Sequence, residues 1–514
     1  MTGSPSNERM VAGVAAAAVA LGAAELVGIP FGTSANARGA IGAAIVDLTP
    51  GPIKELAIQT LGVLDKLFLA IVVLVAIATI AAIAGTLETR RRPLGSAVIA
   101  AAGVLGCVAV LSRQGATALD TIPTVVGTAC GIATLRWLTL RFWPDAPADP
   151  ESGADHDGPD AGRRRFVIVG ILGCAAVAAS AGAVITRLVH SVAVDRSTFK
   201  IPRPRVSAPP IPAEVQPQGV ALPSFVTDSA DFYRVDTALS VPQLSRADWR
   251  LRIHGMVERE RTYNFDDLAS FDIVETVATL TCVSNPVGGE LLSTGVWTGY
   301  RLVELLAAAG VQADADMVLS TSIDGFTAGT PVQALTRDAL LAVGLNGQPL
   351  PIEHGYPARL IVPGLYGYVS ATKWVVDLEL TRFDKAQAYW TRQGWAPRGP
   401  IKTQSRIDMP KGGQKVPTGP VVFGGVAWAQ NRGVRSVEVR IDDGAWQPAQ
   451  LGASYSDQTW RLWSFRWQAK NPGRHAITVR ATDNSGATQT ADQVGTVPDG
   501  ATGWHTVNFT VSGA

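Results

Sequence analysis

Apolar positions follow two regimes along this chain. Up to about residue 190 they come in long unbroken runs, and beyond about residue 225 they alternate with polar ones or recur at helical spacing. A run of roughly 20 apolar residues is long enough to cross a bilayer, and five such spans are predicted, over 10–27, 67–86, 94–111, 121–138 and 166–188. Segment 41–62 is amphipathic and broken by Pro50 and Pro52, so it is expected to form an extracytoplasmic or interfacial connection, not a sixth crossing.

Basic residues orient the spans. Arg90-Arg91-Arg92 follow the second, and Arg136, Arg141 and Arg163-Arg164-Arg165 lie at or between the facing ends of the fourth and fifth. Loops rich in arginine stay in the cytoplasm. With an odd number of spans starting inside, everything after the fifth is expected outside the cytoplasm, as a multi-pass protein of the cell membrane. The first apolar run is followed by further spans, so it reads as an anchor and not as a cleavable signal.

The remaining segments divide the chain. Residues 144–165 ("PDAPADPESGADHDGPDAGRRR") are polar and acidic without apolar periodicity, the signature of a disordered loop. Residues 201–219 ("IPRPRVSAPPIPAEVQPQG") are proline-rich, which favours extended backbone and suggests a semi-rigid stalk. Strand-like "DWRLRIHG", "ARLIVPG" and "KWVVDLELT" mix with helical "RLVELLAAAG" to predict an α+β domain. From about residue 405 short strands alternate with turns: Val437, Val439, Ile441; then Ile477, Val479, Ala481; then Val507, Phe509, Val511. That spacing suggests an all-β sandwich of immunoglobulin type. The expected organisation is therefore an α-helical membrane bundle over 1–192, a linker over 193–224, an α+β domain over 225–390 and an immunoglobulin-like domain over 391–514.

Charge adds an exclusion. A net charge of +1 and basic clusters confined to the ends of apolar runs give no footprint for nucleic acid. Cysteine usage is more informative. Cys107, Cys130 and Cys174 fall in predicted spans, where a thiol is a small polarizable group, whereas Cys282 is the only cysteine after them. An exported domain normally uses cysteines in pairs. A shielded structural thiol is the plain reading of Cys282, but its loop, "TLTCVSNPVGG", follows a strand-like run and carries two glycines that let backbone approach a bulky ligand. Zinc lacks the further Cys or His ligands it needs, and no motif supports a Cys/His nucleophile pair. A single thiolate suits a transition metal whose other ligands come from a cofactor.

Four stretches in order, "FYRVDTALSVP", "TLTCVSNPVGGELLSTGVWTGYRLVELL", "LLAVGLNGQPLPIEHGYPARLIVPGLYGYVSATKWV" and "IKTQSRIDMP", resemble the sulfite oxidase family of molybdenum–molybdopterin enzymes, which includes plant-type nitrate reductases and a bacterial methionine-sulfoxide reductase. The resemblance implies a molybdenum–molybdopterin cofactor with Cys282 as its metal ligand. It further implies that Tyr233, Arg234, Ser322, His354, Arg359 and Lys373 hold the pterin and its phosphate, for which arginine and lysine are chemically suited. Trp297 stands at the family's pocket-lining position, and its residue type equally suits a core anchor. The C-terminal sandwich resembles the family's dimerisation domain, which implies a homodimer. Two positions depart from the sulfite oxidases: Pro286-Val287-Gly288 replace arginines after the cysteine, and Val343 replaces a tyrosine. A pocket lacking those groups is weak for sulfite, and the Val-Gly pair is closer to the sulfoxide reductase.

Haem in a helical bundle needs axial ligands such as facing histidines, and no predicted span contains one; His156 lies in the acidic loop and His190 past the fifth span. No haem is therefore expected in this chain, and electrons are expected to pass to or from a separate cytochrome or quinone-linked protein. Arg163-Arg164-Arg165-Phe166 also resembles a twin-arginine export signal, although ordinary positive-inside anchoring accounts for the same residues. A different class of reading is a membrane receptor or structural protein that uses the fold without cofactor.

Overall fold

A computed structural model describes residues 5–32, 35–50, 53, 60, 64–113, 116–143 and 161–513. The chain forms two compact units, residues 1–191 with 238–243 and residues 192–237 with 244–514.

The first unit is helical. Its helices are α1 (Pro5–Val27), α2 (Ala37–Leu48), α3 (Asp65–Leu87), α4 (Leu94–Leu111), α5 (Ile122–Phe142) and α6 (Ala161–Val189). Among the described residues, five apolar runs are long enough to cross a membrane: Ser6–Val27, Lys66–Leu87, Leu94–Leu111, Ala118–Phe142 and Gly162–Thr198. They match the five predicted from the sequence. α2, at 12 residues, is too short to span; most of the rest of segment 41–62, and residues 144–160 of the acidic stretch, lie outside the described residues, whereas its last five, 161–165, are not a disordered loop but the first turn of α6, continuous with the apolar run behind them.

Helix α1 packs against α3, α5 and α6, and small residues set the distance. A Cβ built on Gly13 would stand 2.0 Å from Ala81 O, and one on Gly85 would stand 2.0 Å from Arg9 O. Such close backbone approach is a main source of attraction between apolar helices where hydrophobic drive is weak. Several polar groups inside the bundle are paired. Glu88 is wholly buried, pairs with Arg136 at 3.0 Å and accepts from Ser96 N and Oγ at 2.7 and 2.9 Å. Arg164 pairs with Glu8 at 3.1 Å.

The second unit opens with a short helix, α7 (Ala193–Thr198), and the proline-rich segment. That segment is extended, as its composition dictates, but it is a strap laid against the unit and not a free stalk. Arg205 N donates to Ile273 O, Glu275 N donates to Val206 O, and Ala453 N donates to Glu214 O. Strands β1 (Arg250–Gly255), β2 (Arg261–Asn264), β5 (Met317–Ser322), β6 (Thr327–Pro331) and β10 (Val375–Thr381) form a mixed sheet in the order β2-β1-β10-β5-β6, with β1 and β10 parallel. Strands β3 (Ile273–Thr281), β4 (Leu292–Arg301), β7 (Leu340–Leu345) and β8 (Gln348–Pro349) form an antiparallel sheet, and β9 (Arg359–Ile361) adds to β7. The two sheets share one core, to which β1 gives Leu251 and Ile253 and β7 gives Leu341 and Val343. The "RLVELLAAAG" run forms α8 (Leu302–Ala307) and stops at Gly310, whose φ of +71° excludes most side chains.

The remaining strands are β11 (Gln404–Met409), β12 (Lys415–Pro417), β13 (Gly419–Trp428), β14 (Val434–Ile441), β15 (Gln447–Pro448), β16 (Gln450–Leu451), β17 (Arg461–Ala469), β18 (Gly473–Asp483) and β19 (His505–Ser512). They make two sheets, β11-β13-β17-β16 and β12-β19-β18-β14-β15, joined by a core that includes Phe423, Trp463, Val479 and Phe509. The three alternating runs expected to be strands are β14, β18 and β19.

Strand β3 lies at the edge of its sheet, with β4 on one side. Its other edge is covered from two directions. The strap pairs with Ile273 and Glu275, and Thr279 N donates to Gln458 O at 3.0 Å. Gln430, wholly buried, donates through Nε2 to Thr279 O (3.2 Å) and Thr281 Oγ1 (3.0 Å). Replacing Gln430 by alanine strands a buried carbonyl, so it is expected to cost about 1–3 kcal/mol. A lowered denaturation midpoint by tryptophan fluorescence of the detergent-solubilised chain checks this; an unchanged midpoint contradicts it.

Candidate functional site

Strand β3 delivers Cys282. Every residue of β3 but one is buried, and the chain turns immediately after Thr281. Cys282 N donates to Leu291 O at 2.9 Å, which closes the following loop. Inside it, Asn285 N donates to Cys282 O (3.2 Å) while Asn285 Oδ1 accepts from Leu291 N (2.9 Å). A buried asparagine thus satisfies the turn from within. Gly288, in this loop, has φ +79°, and a Cβ there would come 2.4 Å from two ring atoms of His505. His505 is held in turn, because its Nδ1 accepts from Ile407 N at 3.0 Å. A side chain at position 288 is therefore excluded by an imidazole from β19. Val343 is a fully buried core residue on β7.

The expected cofactor-binding residues converge on one cluster. Phe232 stacks on Tyr233 with ring centroids 5.8 Å apart and meets Trp297 and His354 edge to face at 5.3 and 5.7 Å. The Arg359 guanidinium lies 5.3 Å from the Trp297 ring centroid. Trp297 itself is wholly buried and donates through Nε1 to Ala278 O, which is the geometry of a core anchor beneath Arg359. Arg234 and Lys373 both donate to Asp236 Oδ2, at 2.9 and 3.0 Å. Ser322 is buried at the end of β5, opposite Val375 and so beside the turn that carries Lys373.

Electrostatics give the cluster its character. Buried Arg359 and Lys373 and solvent-exposed Arg234 gather about the carboxylate of Asp236, an excess of positive charge. Burial, partly offset by Asp236, lowers Lys373 to about 8, and burial lowers Arg359 to about 10. Both remain cationic near pH 7. Burial, followed by the nearby Arg359, Lys373 and Arg234, lowers His354 to about 3, so this imidazole is neutral. Tyr233 is pushed well above the usual phenol range by burial and by the neighbouring charge of a Cys282 thiolate, against the pull of Arg359. It stands beside Cys282 as a neutral hydrogen-bond donor.

Two buried polar atoms in the cluster, His354 Nδ1 and Arg359 Nε, have no hydrogen-bond partner among the described residues. Buried polar atoms are rarely left so. An anionic group with oxygen acceptors fits this donor set, and a pterin phosphate is such a group. Among the described residues no cluster of three or more His, Cys, Asp or Glu could hold a metal by itself.

Asp236 escaped sequence reasoning, although its position two residues after Arg234 is the local signal that an arginine–carboxylate pair was available. Gln430 could not have been found that way. It lies 151 residues from Thr279, and nothing in its own stretch marks it.

Residues 238–390 match the model of the oxidoreductase molybdopterin binding domain. Mitochondrial sulfite oxidase of Homo sapiens is 29% identical over 309 residues, covering 51% of this chain and 56% of that protein. The chain thus spans little more than half the length of that curated relative. An uncharacterized oxidoreductase of Bacillus subtilis (strain 168) is 32% identical over 152 residues, which are 29% of this chain and 74% of that protein. Among solved structures, the sulfane dehydrogenase SoxCD from Paracoccus pantotrophus is 25% identical, with a TM-score of 0.47 over 53% of this chain and 76% of that one.

The buried histidines predict a pH dependence. His354 and His505 are lowered to about 3 and about 4, both chiefly by burial, so the unfolded chain binds their protons first as pH falls. Stability is full above the ordinary histidine value near 6.5. It declines below that by up to roughly 1.4 kcal/mol per pH unit per histidine, until each folded value is reached. Denaturation midpoints of the cofactor-free chain at pH 7.5 and 5 measure the decline, and His354→Gln or His505→Gln is expected to flatten it.

Proposed function

We propose that this chain, which belongs to the sulfite oxidase family of molybdopterin-dependent oxidoreductases, catalyses two-electron oxygen-atom transfer on a small sulfur or other oxo substrate, at Cys282 and outside the cytoplasm. The observation that carries this reading is the convergence of Cys282 and Tyr233 with a cation-rich, partly unsatisfied cluster of Arg234, Arg359, Lys373 and His354.

A molybdenum–pterin group bound there supplies a two-electron centre able to donate or accept an oxygen atom. Cys282 is the thiolate that holds the metal, and Asn285 fixes the loop around it. Arg359, Lys373 and Arg234 would hold the anionic end of the pterin, with positive charge from all three and the unpartnered Nε of Arg359 as a free donor. Neutral His354 offers a hydrogen bond without adding charge, and Ser322 adds a hydroxyl from β5. Tyr233 keeps its proton beside the metal ligand. Trp297 supports Arg359 from below.

Substrate preference follows from what the loop lacks. Pro286, Val287 and Gly288 supply no cation, and Val343 supplies no phenol. An uncharged oxo acceptor such as a sulfoxide therefore fits better than sulfite, and a repair enzyme of the methionine-sulfoxide-reductase kind is the second reading, favoured by the Val287-Gly288 pair. Electrons exchange with a separate cytochrome or quinone-linked protein. The C-terminal sheets act as an immunoglobulin-like dimerisation domain, and the five apolar helices anchor the chain in the cell membrane.

Protein purified from a host that makes the cofactor is expected to hold about one molybdenum per chain, lost in Cys282→Ser. A metal-free but folded wild type points instead to a receptor or structural protein. In the loaded enzyme, turnover of methionine sulfoxide is expected to exceed that of sulfite, and preferential sulfite oxidation reverses the substrate reading.

Export by the twin-arginine route suits a domain that must take up its cofactor before crossing. Replacing Arg163, Arg164 and Arg165 by lysine keeps the charge opposite Glu8, so it separates signal from anchor. Blocked export is expected; normal export leaves the arginines as anchors only.

A further inference from the structure

Loop 349–357 has little regular structure, yet it carries His354 into the cluster. Its carbonyls are tied one after another by side-chain donors. Arg196 donates through Nη2 to Pro349 O (2.9 Å) and through Nε to Leu350 O (2.7 Å). Trp374 Nε1 donates to Ile352 O (3.0 Å), Lys373 Nζ to Glu353 O (3.1 Å) and Arg359 Nη1 to His354 O (3.1 Å). Three ties come from the cluster and its neighbour, and two come from α7, only a few residues beyond the last long apolar helix.

Helix α7 grips the loop a second time. Asp195 Oδ2 accepts from Tyr356 Oη (2.7 Å) and from Arg246 N (3.0 Å), while Oδ1 accepts from Arg246 Nε (3.0 Å) and Nη2 (2.8 Å). Arg246 lies 4.7 Å over the Phe199 ring, and Phe199 and Val192, which flank α7, are buried in the core. The carboxylate is thus held in place before it meets Tyr356, itself wholly buried. Between Tyr356 and His354 stands Gly355 at φ +108°, where a Cβ would come 3.1 Å from Arg359 Cβ and from Lys373 Cα. The loop lies directly on the two cations, so a shift at Tyr356 reaches them with no slack to absorb it.

We propose that Asp195 and Arg196 are positioning residues for cofactor retention, so that the segment following the last membrane helix closes the loop over the pterin's anionic end. The inference rests on the reading above, that this loop holds the cofactor. Its physical content is a division of labour. Lys373 Nζ and Arg359 Nη1 already spend donors on the loop, whereas Arg196 and Asp195 hold the same loop from outside, so that it stays in place when those cations turn to an anion.

The test uses the full-length chain purified from a cofactor-making host, comparing wild type with Asp195→Ala, Asp195→Glu, Arg196→Gln and Tyr356→Phe. Pterin release is followed by the fluorescence of the freed, oxidised pterin, and thermal midpoints are taken for loaded and stripped protein. Release is expected to accelerate about tenfold in Asp195→Ala, less in Tyr356→Phe and Arg196→Gln, with partial recovery in Asp195→Glu. The stripped midpoint is expected to fall in Asp195→Ala, which strands the buried Tyr356 hydroxyl, and the loaded midpoint to fall further, so that the rise the cofactor confers shrinks. Tyr356→Phe removes one hydroxyl and nothing else, so it carries the test if Asp195→Ala fails to fold. Release at the wild-type rate in all variants overturns the proposal, as does an equal fall in loaded and stripped midpoints. A wild type without pterin removes the cofactor reading and this inference together; a loaded wild type with unaffected variants removes the inference alone.

Discussion

The outer edge of strand β3 is the constraint on which the site depends. An edge strand presents unpaired backbone groups, and β3 must also place Cys282 at its end with little freedom. Both demands are met by the same contacts. The proline-rich strap covers Ile273 and Glu275, and the C-terminal sheets cover Thr279 through Gln458, Trp460 and Gln430. The cysteine loop is thus held by three segments far apart in the chain, and the C-terminal strands belong to the site's support as much as to any interface of their own.

The second organising feature is an imbalance of charge. Two guanidiniums and an ammonium face one buried carboxylate, and burial lowers both Lys373 and Arg359 without neutralising either near pH 7. In a folded protein such an excess is costly unless something anionic offsets it. Asp236 offsets part. Beside it, His354 Nδ1 and Arg359 Nε have no partner among the described residues. Trp297 and Phe232 make this arrangement durable, since their rings leave the guanidinium and the imidazole few alternative positions.

Much of this was legible from residue order. Unbroken apolar runs predicted the five long helices, period-two alternation predicted β1, β14, β18 and β19, and strand-like runs predicted β9 and β10, because such patterns are local consequences of which positions are buried. The ordered stretches around Cys282, His354, Arg359 and Lys373 marked residues that the fold brings to one place. Other features could not be read. Proline content predicted an extended chain over 201–219 correctly, but extended backbone serves a free stalk and a bound strap alike. Trp297 suited a pocket wall or a core anchor, and residue order could not say that the fold buries it wholly.

By itself the sequence determined the elements, the five apolar runs, the family and the identity of the chemical groups at the site, since each is written in nearest-neighbour pattern or residue type. The tertiary structure alone decided which groups meet: Asp195 with Tyr356 across 161 residues, Gln430 with Thr279 across 151, and His505 against Gly288. The physical reason is that hydrogen bonding and steric exclusion are short-ranged in space and indifferent to distance along the chain. A carboxylate, an amide or an imidazole carries no mark of its partner until the core has closed around both.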